Sequence, residues 1–151
     1  MEKIRLPKDG WVVVADGEKA LFLRNEGDAK FPNLAVFREM EQENPPTREQ
    51  GTDRPGRLSD GPSSHRSAVA ETDWHRFAKE QFAWEIAGRL YQFAHKGAFD
   101  HLVLVAPDRI LGELRRELHQ EVTRRIIGEV DKTLTKHPVG EIEKLVLESD
   151  G

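Results

Sequence analysis

Between Asp53 and Ser67 the chain reads Asp-Arg-Pro-Gly-Arg-Leu-Ser-Asp-Gly-Pro-Ser-Ser-His-Arg-Ser. Arg54, Arg57, His65 and Arg66 concentrate hydrogen-bond donors in this short polar stretch. Guanidinium groups grip phosphate oxygens two at a time, and a glycine such as Gly61 lets backbone N–H groups approach an anion. Such a patch suits an RNA backbone or a tRNA acceptor end. The plain alternative is a solvated loop whose arginines pair with Glu49, Asp53 and Asp60. Ser63, Ser64 and His65 also invite a nucleophile-and-base reading. Adjacent residues seldom face one another, however, and no orienting acid is identifiable.

Two other chemistries have weaker footing. Metal-dependent nuclease chemistry needs several carboxylates converging on two ions. Asp16, with Glu80 or Glu85, supplies the candidates, and Asp16 is more simply read as a turn residue. The six histidines, at 65, 75, 95, 101, 119 and 137, show no metal-ligand spacing. Neither a metal site nor a cofactor site is therefore expected. The chain has no cysteine, which removes disulfides, thiolate metal sites and cysteine nucleophiles together.

The elements that would position these groups follow from pattern. Trp11 to Ala15 is a β-branched run bounded by Gly10 and Asp16-Gly17 and reads as a buried strand. Ala20 to Arg24 returns as its hairpin partner. Leu34 to Glu41 is a third antiparallel strand. Asn44-Pro-Pro-Thr47 ends it, and the polar stretch follows as a long loop over about 44–72. Thr72 or Asp73 caps a long helix running to about Ala94. Ala78, Phe82, Ile86 and Leu90 form its core stripe. Phe77, Trp84 and Tyr91, seven apart, form a second aromatic stripe that could carry a homodimer contact; packing within the chain is the plainer reading. Gly97 stops the helix.

Leu102 to Ala106 is the clearest buried strand. Pro107 opens a helix with Ile110, Leu111, Leu114 and Leu118 on one face. Arg124 to Val130 reads as a fifth strand, with helix as the competitor because Val122, Ile126 and Val130 are four apart. Pro138 starts a last helix with Ile142, Leu145 and Val146 facing inward. The order β-β-β, loop, α-β-α-β-α predicts one α/β domain over 1–151. Its mixed five-stranded sheet has three antiparallel strands, then two parallel ones, with helices on its faces, in ribonuclease-H-like topology.

The net charge is −4, so a general nucleic-acid coat is not expected, although a local basic site is compatible with it. No apolar run approaches the ~20 residues that span a bilayer. Met1 to Pro7 has no apolar stretch of the kind a secretory signal carries. A cytoplasmic protein with no membrane partner is the expectation.

The chain resembles the bacterial host attachment proteins. The matching residues are Trp11-Val-Val-Val-Ala-Asp-Gly17 with Ala20, Asp53-Arg-Pro-Gly-Arg57, His65-Arg66 and Phe77-Ala78. They continue through Leu102-Val-Leu-Val-Ala-Pro107, Leu111-Gly-Glu-Leu-Arg115 and Asp131-Lys-Thr-Leu-Thr135. That family is similar in fold to the middle domain of archaeal and eukaryotic peptide-chain release factors, where a loop before the long helix carries a Gly-Gly-Gln motif. Here Gly61 matches the first glycine, but Pro62 and Ser63 replace the second glycine and the glutamine. The resemblance points to an accessory factor associated with RNA or the ribosome, and the composition of the loop would put Arg54, Arg57, His65 and Arg66 at its phosphates. The alternatives are a non-catalytic interaction protein, dimeric through its aromatic stripe, and a divergent hydrolase acting on peptidyl-tRNA or an ester.

Overall fold

The computed structural model describes residues 4–42 and 80–148. Its centre is a strand buried along its whole length, β1 (Trp11–Ala15). Beside it run β2 (Lys19–Asn25) and β3 (Leu34–Glu41), both antiparallel to their neighbours. On the other side lie β4 (Leu102–Ala106) and β5 (Ile126–Asp131), both in parallel pairings. The order across the sheet is β3-β2-β1-β4-β5. This is the mixed ribonuclease-H-like arrangement that the element order predicted. β1 and β4 are apolar throughout because both of their faces are covered.

Alternation along β1 divides the core in two. Trp11, Val13 and Ala15 face one layer; Val12 and Val14 face the other. The first layer is built on helix α1, described over 80–95, and on α2 (Asp108–Glu117). Phe82, Ile86 and Leu90 from α1 and Leu111 and Leu114 from α2 are fully buried there. Each such side chain contributes about 1.5–3 kcal/mol by leaving water. The second layer is α4 (Val139–Leu147), which presses Ile142 and Val146 onto Val103, Val105 and Val130.

The helix ends follow local chemistry. Gly97 has φ +74, a conformation open to glycine. Its N–H bonds to Ala94 O, and that of Ala98 bonds to Phe93 O, closing α1 in a Schellman motif. Pro107 is the N-cap of α2 and so lies just outside the helix it was expected to open. The stretch before β5 contains a short helix that periodicity did not separate, α3 (Gln120–Thr123). Its N-cap is His119, whose Nδ1 accepts from Glu121 N at 3.0 Å. Strand wins over helix at 126–131 because that segment pairs with β4.

Two breaks interrupt the ladder. In β3, Phe37 is an extra residue between the partners of Phe22 and Leu23. In β5, Ile127 is an extra residue between the partners of Leu102 and Val103.

Candidate functional site

The parallel strands of an open sheet point their C-terminal ends at the place where ligands most often bind. Here that edge gathers the turn after β1, the end of β3 and the loop after β5. Asp16 organises it. Its Oδ1 accepts the N–H groups of Glu18 and Lys19, both at 2.7 Å, which makes the hairpin an Asx turn. Its Oδ2 accepts from the hydroxyl of Thr135, a buried residue four positions beyond β5. The β1–β2 turn and the β5–α4 loop are thereby tied together. Gln42 N bonds to Glu18 O at 2.8 Å, so the chain leaves β3 at this same edge. A recess of ≈ 250 Å³ remains between these pieces, with Lys19, Lys136, Glu41 and Gln42 around it.

The recess is of mixed charge. Lys19 Nζ lies 3.3 Å from Glu39 Oε1, whereas Lys136 is exposed. Asp16 has both carboxylate oxygens engaged in structural bonds, in keeping with the turn reading. Glu80 lies beside a second recess, with Glu113 and Arg116. Glu85 lies in a third, with Arg38 and Arg89. The three acids weighed for nuclease chemistry therefore do not converge. Among the described residues, no group of three or more His, Asp or Glu is placed to hold a metal ion.

Arg54, Arg57, Gly61, Ser63, Ser64, His65 and Arg66 lie outside the described residues, as do His75 and Phe77. The last described residue before them is Gln42. Of the aromatic stripe, Tyr91 is half-buried and packs inside the chain, 4.5 Å from His119 and 5.7 Å from His95 between ring centres. Trp84 is 58% exposed. The two therefore have different surroundings despite their spacing, because α3 covers one and not the other. Sequence reasoning missed the pairing of Thr135 with Asp16. The sequence carried no clear signal for it, because only the structure shows that Thr135, at the end of Asp131-Lys-Thr-Leu-Thr135, is buried.

No helix among the described residues is long and apolar enough to cross a membrane. Comparison with curated proteins gives no match. Among solved structures, the crystal structure of the archaeal translation termination factor aRF1 is similar, with a TM-score of 0.46 and 11% identity. The match covers 89% of this chain and 39% of that one, so the chain spans well under half the length of that factor. A family model described as "Bacterial archaeo-eukaryotic release factor family 12" matches residues 9–146. That description names release factors and not host attachment, the name that the motifs suggested.

Proposed function

Because the chain belongs to bacterial archaeo-eukaryotic release factor family 12, we propose that it is a ribosome-associated accessory factor that contacts RNA through its basic stretch. The family match over 9–146 is the observation that carries this reading. In it, Arg54, Arg57 and Arg66 bind phosphate oxygens, and Gly61 allows the backbone to come close. His65 and the Ser63-Ser64 backbone lie nearest the contacted group. The exposed Lys136, at the edge where the chain leaves β3, would add a cation to such a contact. A hydrolytic step would be carried by the same stretch, with His65 as base. In that case His65→Ala would lower rate while leaving binding unchanged.

The test is co-sedimentation with ribosomes at low and high salt, beside an Arg57→Ala/Arg66→Ala variant. Binding by the wild type that weakens with salt and disappears in the variant is the expected result. Absence of wild-type binding at low salt would sink the proposal.

A further inference from the structure

A second feature of the surface lies away from the Asp16 edge. Between β3 and the outer side of α1 runs an open cleft of ≈ 540 Å³. Trp84, 58% exposed, stands in its wall, an unusual cost for the largest apolar side chain. Arg38 and Arg89 flank it from the strand and from the helix. Arg38 lies over the ring of Phe93, 5.7 Å from its centre, which fixes the guanidinium on an aromatic base. Neither arginine has a carboxylate partner among the described residues, although Glu39, Glu41 and Glu85 are close by. Glu39 is instead turned to Lys19. Gly88, at the helix surface of the cleft, would meet nothing within 4 Å if it carried a Cβ, so the space above it is open.

An exposed indole sharing a cleft with two such guanidinium groups, among carboxylates of which Glu39 is turned to Lys19, has the elements of a single-stranded nucleic-acid subsite. Bases stack on the aromatic face, phosphates bridge to the arginines, and carboxylate or amide groups accept from the amino edges of bases. Glu85 and Gln92 are placed for the last role. We infer that the β3–α1 cleft binds an unstacked base of single-stranded RNA on Trp84, with Arg38 and Arg89 on its flanking phosphates. This rests on the RNA-contacting reading above and adds to it a site distant in sequence from Arg54 to Arg66.

The experiment uses the full chain with Trp74→Phe, so that Trp84 is the accessible indole, Trp11 being buried. A fluorescein-labelled single-stranded adenine RNA 12-mer is titrated in, and anisotropy and tryptophan quenching are read together. Quenching that saturates with the anisotropy change, and preference over a duplex RNA 12-mer, are expected. Trp84→Leu should weaken binding by about tenfold, in line with ~1–3 kcal/mol per stacked base. Arg38→Ala/Arg89→Ala should flatten the salt dependence by about 1.4 in log–log slope, ~0.7 for each phosphate no longer neutralised. Gly88→Gln, which raises helix propensity and meets no neighbour, should block the cleft in a folded protein. Equal binding of duplex RNA would overturn the inference. So would wild-type affinity in Trp84→Leu and Gly88→Gln. If Arg57→Ala/Arg66→Ala abolishes ribosome binding while the cleft variants bind the oligonucleotide normally, the loop reading stands and the cleft inference falls. Binding of a glutamate-rich peptide that disappears in Trp84→Leu, with RNA binding unaffected, would also overturn it.

Discussion

At the scale of single residues, the decisive ones are polar and partnered. Asn25 is fully buried at the end of β2 and is satisfied on both ends of its amide. Its Nδ2 donates to Leu6 O and Asp28 O, and its Oδ1 accepts from Gly27 N and Asn33 N. One side chain thus fixes the N-terminal segment against the β2–β3 turn. Asp16 does the same work at the opposite edge, where its two oxygens serve three donors. Asp16→Ala would orphan the buried Thr135 hydroxyl and two turn N–H groups. A loss of about 1–3 kcal/mol is expected, read as a lower urea midpoint with unchanged slope. Thr135→Val, which removes the donor and keeps the shape, should cost less. At the surface, Arg115 is hydrogen-bonded to Glu129 on β5, and this bond and charge hold its guanidinium above its ordinary range. The pair links α2 to β5 at the sheet edge.

At the scale of elements, α1 shows most clearly what a sequence can and cannot tell. The four-residue spacing of Phe82, Ile86 and Leu90 specifies its buried face, and all three are buried. The seven-residue spacing of Trp84 and Tyr91 says only that they share a side of the helix. It does not say that α3 arrives to cover Tyr91, because α3 is a single turn created by a histidine cap. Strands β1 and β4 were legible because doubly covered strands are apolar without interruption, and β3 from its apolar residues Val36 and Phe37 between two turn signals, although not in register. The fifth strand was ambiguous because β-branched residues at 122, 126 and 130 satisfy a helical period as well. Only pairing with β4 decides between the two. The same logic separates two substitutions on α1. Ile86→Ala should cost about 2–5 kcal/mol through the cavity it leaves. Trp84→Ala, exposed and uncapped by neighbours, should stay within about 0.5 kcal/mol. Equal losses in thermal denaturation would mean that the helix is rotated from the position described.

At the scale of the whole molecule, the net charge of −4 sets a limit on RNA binding. Long-range attraction is unfavourable, so affinity must come from a few local contacts. Arg54, Arg57 and Arg66 with the two cleft arginines, at ~0.7 each, give an expected slope of about −3.5 for log affinity against log salt on a single strand that engages both. A slope steeper than about −5 would mean more phosphate contacts than these arginines supply. The proposed site was legible in the sequence as a composition, Arg, His and Gly in one polar stretch. The cleft was not, because Arg38 and Arg89 lie on separate elements and meet only when β3 and α1 pack on one layer.

The two irregularities of the sheet lie on its two outermost strands, Phe37 in β3 and Ile127 in β5. Among the described residues, both outermost strands are therefore unevenly spaced templates. A straight strand arriving from another molecule would find its donors and acceptors in step for a few residues and then out of step. The sheet ends by losing the regularity that further growth would need. Bulges on edge strands are one of the devices by which sheets disfavour edge-to-edge pairing, and they act independently of surface charge.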